Sequence, residues 1–161
     1  MKKYQIIYAD PPWQYKDKRS NPLTDRPRKY GGITYPVMKT DDICNLPIKD
    51  ISARNCILFI WATFPNLQEV FKVLKACGFE YKTLGFSWIK TNPKNKEPFF
   101  GIGHYTKSNC EVCLIGVKGK PIIKSNKVSS VIISPINGHS KKPSQIRNKI
   151  VGGAPMKLAR N

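Results

Sequence analysis

The tetrapeptide Asp10-Pro11-Pro12-Trp13 gathers in consecutive positions the groups needed to act on the exocyclic amino group of a nucleobase. Such a nitrogen is a poor nucleophile because its lone pair is delocalised into the ring. Acceptors aimed at its N–H bonds favour the tetrahedral nitrogen that forms during attack, most strongly when they are preorganised away from water. The Asp10 carboxylate and the Pro11 carbonyl would each accept one N–H. Pro11 and Pro12 restrict the backbone and carry no N–H, so they hold acceptors outward without competing donors. Trp13 supplies an aromatic face, and base stacking on such a face is worth ~1–3 kcal/mol in single-strand binding proteins. The plainer alternative has Asp10 capping a local turn, the prolines ending a strand and Trp13 in the core.

The elements around the tetrapeptide favour the chemical reading. Gln5 to Ala9 is short and apolar and is stopped by the double proline, which predicts a buried strand with Asp10 at its tip. Residues 14–36 mix Pro, Gly, Asn and basic residues without periodicity and predict a long, mobile, basic surface loop. Thr40 is positioned to cap a short helix through Asp41 and Asp42. Cys56 to Trp61 is apolar throughout, as for a strand of a parallel sheet covered on both faces. From Pro65 the spacing becomes helical, with Leu67, Val70, Phe71 and Leu74 on one face and Gly78 as the stop. Strands follow over Tyr81 to Ile89, Cys110 to Val117 and Val131 to Ser134, and a helix begins near Pro143. This alternation predicts an α/β sheet, whose ligands sit beyond the strand carboxyl ends.

Length and charge narrow the partners. The 161 residues, 40% of them hydrophobic, suffice for one core and one domain spanning 1–161. Lys and Arg number 28 against 10 acids, a formal charge of +18 whose self-repulsion a polyanion would offset. No acid follows Glu111, and a second basic cluster runs from Lys16 to Lys29. Nucleic acid is therefore the first partner to test. No apolar run reaches the ~18 residues of a membrane span, and no amino-terminal export signal is seen, so a cytoplasmic location is expected. The cysteines at 44, 56, 77, 110 and 113 are odd in number and lie mostly in apolar stretches, as reduced, buried thiols do. Cys110-x-x-Cys113 has half the spacing of a zinc knuckle, but strand residues three apart face opposite sides and no second pair completes a tetrahedral site, so no metal is expected.

Several motifs in order carry a family resemblance. Tyr8-Ala9-Asp10-Pro11-Pro12-Trp13 resembles the signature of beta-class adenine-N6 methyltransferases of the MT-A seventy type. Tyr35-Pro36-Val37-Met38 with Asp41-Asp42-Ile43, Phe59-Ile60-Trp61-Ala62-Thr63, Trp88-Ile89-Lys90-Thr91, Glu111-Val112-Cys113-Leu114-Ile115-Gly116 and His139-Ser140-Lys141-Lys142-Pro143 continue the match over nearly the whole chain. The resemblance implies a Rossmann-like class I methyltransferase sheet, circularly permuted so that the catalytic motif comes first and the cofactor region late. It implies S-adenosylmethionine as cofactor, with Asp10 near its amino end and Lys142 near its carboxylate, and with Ser140, Arg160 and Asn161 also on the cofactor side. Tyr35, Lys90 and Glu111 would line the target-base side with Trp13. His104 and His139 lack the partners that a proton-transfer role needs.

The resemblance departs at the carboxyl end. Relatives continue past the Arg160 region to a Gly-Asn dipeptide that touches the cofactor ribose, whereas this chain stops at Asn161, as a domain cut short would. The expected activity is methylation of adenine N6 in nucleic acid, DNA before RNA because short, single-domain relatives resemble DNA modifiers of bacterial cells or phage-infected hosts. The alternative is a catalytically weak or inactive nucleic-acid-binding subunit, and either form is expected to pair with a second copy or a partner subunit. A different Rossmann-like enzyme is disfavoured because no Gly-x-Gly-x-x-Gly follows the first strand.

Overall fold

Apolar runs bounded by prolines, glycines and polar loops become the strands of the structure, a computed structural model that describes residues 2–14, 36–101, 103, 105–123, 127–138 and 141–150. Tyr35, His104, His139, Ser140, Arg160 and Asn161 lie outside the described residues, as do the basic run from Lys16 to Lys29 and nearly all of the 14–36 loop.

Among the described residues, β1 (Tyr4–Ala9), β2 (Ser52–Ala62), β3 (Glu80–Thr91), β4 (Cys110–Lys118) and β5 (Val131–Pro135) form one sheet in the order β1-β2-β4-β3-β5. β1 pairs parallel to β2, and β3 parallel to β5, but β4 runs antiparallel to both β2 and β3. The sheet is therefore mixed, which corrects the parallel setting expected for β2. An apolar run reports burial on both faces but not the direction of its neighbours, since direction is set by connections far along the chain.

The reversal of β4 matters for the site. The carboxyl ends of β1, β2, β3 and β5 and the amino end of β4 all reach one edge, as the pairs Trp61 with Cys113, Trp88 with Glu111 and Lys90 with Ser134 show.

Each face of the sheet buries its own core. On one face, Ile7, Cys56, Leu58, Ile60, Val112 and Leu114 pack with helices α1 (Thr40–Cys44), α2 (Ile48–Ile51) and α3 (Leu67–Ala76). On the other, Ile57, Phe59, Trp61, Phe86, Trp88 and Cys113 pack with Ile146 of α4 (Ser144–Asn148) and with Ile150. α3 presents Val70, Val73, Leu74 and Cys77 to the sheet, a stripe with helical spacing. Phe71, expected on that stripe, is 40% exposed and meets Tyr81 edge-on at 5.1 Å between ring centroids, a rotation of the helix that puts the smaller Val73 inside. Gly78 ends α3 at φ 78°, with the Phe79 N–H donating to the Leu74 carbonyl at 2.9 Å. Thr40 is the first residue of α1 and not its cap: Lys39 takes that position and no side chain caps the helix. No helix among the described residues is long and apolar enough to cross a membrane.

Candidate active site

The tetrapeptide leaves β1 at the sheet edge where the carboxyl ends gather. Its backbone is tied down by three main-chain bonds. The Trp13 N–H donates to the Pro11 carbonyl at 2.9 Å, the Met38 N–H to the Pro12 carbonyl at 2.8 Å and the Gln14 N–H to the Met38 carbonyl at 3.2 Å. Each proline carbonyl thus already accepts one bond, and a second lone pair remains for another donor.

Trp13 turns inward, which corrects its expected stacking role. It is 6% exposed, belongs to the core under α1 and α3, and donates its indole N–H to the Trp61 carbonyl at 2.9 Å. A ring held in this way has no open face for a base. It anchors the turn instead.

Asp10, Lys90, Glu111 and Lys142, distant in sequence, meet in one chain of charges. Lys142 Nζ lies 3.0 Å from Asp10 Oδ1 and 3.1 Å from Glu111 Oε2, while Glu111 Oε1 accepts from Lys90 Nζ. The Glu111 side chain is 11% exposed and those of Lys90 and Lys142 are 15% and 12% exposed, whereas the Asp10 side chain is 38% exposed. Two ammonium groups balance two carboxylates, as buried charges must be balanced.

An aromatic floor carries this chain. Lys142 Nζ stands 5.4 Å from the Trp61 ring centroid, and Lys90 Nζ stands 5.2 Å from that of Trp88. The two indoles meet edge-to-face at 6.4 Å. Each is fixed by its N–H, Trp61 donating to the Tyr8 hydroxyl at 2.7 Å and Trp88 to the Ser134 carbonyl at 3.1 Å. Tyr8, Trp61 and Trp88 were not among the expected site residues. The readable signal is the two-residue step that sets Tyr8 before Asp10 and Trp88 before Lys90 on the same strand faces.

Burial raises the Asp10 carboxyl above its ordinary value of 3.8, and Glu111 adds to the rise; the Lys142 ammonium opposes it without cancelling it. For Lys142, burial acts to lower the pKa, but Glu111 and Asp10 outweigh it and hold the group above 10.5. The Tyr8 hydroxyl is raised as well, chiefly by burial. The site is thus a held carboxylate, open on one side, over a rigid base.

Two observations bear on which ligand this edge would hold. The partly exposed Asp10 carboxylate suits a cationic ammonium, and Lys142 carries the charge for a carboxylate although it already faces two acids. The buried Ser134 hydroxyl, beside Lys90 across the β3–β5 pair, has no hydrogen-bond partner among the described residues, and a buried polar atom of this kind is where a ligand's polar group would be met. Two surface cavities of about 490 and 300 Å³ lie elsewhere, one lined by Cys44 to Pro47 with Ala76, the other by Gln14, Lys39, Asp41 and Glu69.

Comparison with known proteins shows what the chain is similar to. The family model MT-A70 matches residues 4–157. The chain is 34% identical over 157 residues to the Type II methyltransferase M.MunI of Mycoplasma sp, covering 88% of this chain and 64% of that protein. It is 27% identical over 151 residues to the N(6)-adenosine-methyltransferase catalytic subunit METTL3 of Homo sapiens, covering 92% of this chain and 23% of that protein. To the MT-A70-like N(6)-adenosine-methyltransferase of Arabidopsis thaliana it is 24% identical over 144 residues, covering 89% and 19%. The chain spans less than two thirds of the length of each of these relatives.

Proposed function

The chain belongs to the MT-A70 family, and on that premise we propose that it methylates the N6 amino group of adenine in nucleic acid, DNA before RNA, with S-adenosylmethionine as donor. The observation that carries the proposal is the position of Asp10: at the tip of β1, 38% exposed, and held 3.0 Å from a lysine that follows β5.

S-adenosylmethionine would supply an electrophilic methyl group on a sulfonium. The chain's own residues do the rest. Asp10 and the open lone pair of the Pro11 carbonyl accept the N–H bonds of the target amino group and favour its tetrahedral form. Pro12 and the buried Trp13 keep those acceptors in place. Lys142 sets the orientation of Asp10 and offers positive charge to the carboxylate end of the cofactor, with Ser140, Arg160 and Asn161 completing that side. Lys90, Glu111 and Tyr35 belong to the base side. The early tetrapeptide and late Lys142 are the order that a circularly permuted methyltransferase sheet has.

The second reading, a nucleic-acid-binding subunit without chemistry, draws on the fact that Lys142 already faces both acids. Calorimetric titration with S-adenosylmethionine, followed by methyl transfer to adenine-containing oligonucleotides, separates the two. Binding and transfer are expected. No binding at millimolar cofactor removes the catalytic reading.

A further inference from the structure

We propose that the connection between β3 and β4 is a stacking platform for the single-stranded flank of the target base, with Phe100 and Tyr105 as its aromatic faces and Lys94, Lys96 and Lys107 as its phosphate contacts. This rests on the nucleic-acid reading above and assigns a surface to it.

Phe100 is 66% exposed and Tyr105 is 102% exposed, the two most exposed aromatic side chains among the described residues. The lysines at 94, 96 and 107 are exposed on the same connection, against one acid, Glu97. Aromatic faces interleaved with cations suit a strand of nucleotides, because every base has a π-face and every linkage a negative charge. The other exposed rings among the described residues are less exposed, Phe64 at 52% and Tyr4, Phe71 and Tyr81 at 40–43%, and Phe71 and Tyr81 pack on each other.

The connection is also built from the site outward. The Lys90 N–H donates to the Asn109 carbonyl at 2.8 Å, and the Phe99 N–H to the Lys90 carbonyl at 2.9 Å, so the platform stands on the main chain of a residue in the charge network. Further out, the Gly101 N–H donates to the Ser108 carbonyl at 3.0 Å. A Cβ at Gly101 would lie 2.3 Å from that oxygen and one at Gly103 would lie 1.9 Å from the Thr106 carbonyl, so only glycine permits the chain to fold back here. Below it, the Asn92 N–H donates to the Glu97 carbonyl at 2.8 Å in a turn that holds Lys96 at φ 63°, a conformation costly for any residue but glycine. Two turns thus carry the cations and the aromatic side chains on a connection that leaves β3 just after Lys90 and enters β4 just before Glu111.

The test is fluorescence anisotropy of a short labelled single-stranded DNA, with the full chain and without cofactor. Phe100→Ala and Tyr105→Ala should each weaken binding about 5- to 150-fold, the range that one lost stack of ~1–3 kcal/mol gives. Tyr105→Phe should keep the affinity, and Lys94→Gln with Lys107→Gln should each reduce the salt slope by about 0.7. Both aromatic side chains are exposed, so an unchanged melting temperature will show that the variants are folded. A doubly substituted protein with unaltered affinity and salt slope overturns the proposal. So does one that keeps its affinity but has a smaller mass in light scattering than the unaltered chain, since the patch would then be a protein interface. Failure of the catalytic reading registers separately, as absence of cofactor binding in the unaltered chain.

Discussion

The Lys142 ammonium stands 3.0 Å from Asp10 Oδ1 and so joins the residue that follows β1 to one that follows β5, across the full order of the sheet. Both edges of the sheet are thereby committed to one pair of atoms. Whatever displaces either strand displaces the acceptor that the proposed chemistry needs.

The first expectation concerns pH. The Asp10 carboxyl is raised above 3.8, so the folded chain holds this proton more tightly than the unfolded one. Its ionisation therefore removes stability as pH climbs from 3.8 through the folded value, and methyl transfer should show an acid limb centred above 3.8. Rate profiles placing that limb at or below 3.8 would contradict the account. Lys142, raised above 10.5, contributes stability that is present below that value and is lost as pH rises through the folded one.

Replacing Lys142 separates its two contacts. Lys142→Met leaves Glu111 with Lys90 alone and removes the only cation that the structure sets beside Asp10 among the described residues. Breaking a buried pair by removing one partner costs about 3–5 kcal/mol, of which the partly exposed Asp10 should account for little. The melting temperature should fall and the acid limb should move further up. An unmoved limb would mean that Asp10 is not under the influence of Lys142.

Trp13 separates anchoring from stacking. Trp13→Phe keeps a ring but loses the N–H that reaches the Trp61 carbonyl, which should cost about 1–2 kcal/mol. Trp13→Ala should cost about 3–5 kcal/mol. Neither should change oligonucleotide affinity at temperatures where the variant is folded. A loss of affinity without loss of stability would restore the stacking role.

Gly116 tests the packing beneath α3. A Cβ there would lie 2.5 Å from Leu74 Cδ2 and 3.1 Å from Phe79 Cβ. Gly116→Ala should cost about 1–3 kcal/mol by overpacking, or roughly 2–4 °C of melting temperature per kcal/mol for a chain of this size. An unshifted transition would show that Leu74 simply swings away.

Thiol reactivity should follow burial. Burial pushes the Cys56 thiol up to about 11 and raises Cys113 further still. Alkylation of the native chain near neutral pH should spare both and reach Cys44 and Cys110 first, the half-buried pair. Peptide mapping showing Cys113 modified early would point to local opening of β4.

The strands were readable because each is an apolar run closed by proline, glycine or a polar loop, and each observed strand overlaps its expected span. The direction of β4 was not readable, since Cys110 to Val117 has the same composition whichever way it runs. Motif residues brought Asp10, Lys90, Glu111 and Lys142 forward as separate expectations. That they share one charge network follows only from the register of Trp88 with Glu111 and from the path of the chain after β5. Trp13 and Trp61 changed places for a related reason. Both are indoles next to apolar strands, and residue type cannot say which one lies beneath a lysine and which one lies under a helix.

Because β4 enters at the edge that carries Asp10, it leaves at the opposite one, where Gly119 turns at φ 68° and Lys118 Nζ reaches the Ser52 hydroxyl at 2.7 Å. That far rim also holds the start of β3 at Glu80. A surface tether or fluorophore attached at Lys120 or Lys82 would leave the working rim unobstructed for immobilised or single-molecule measurements.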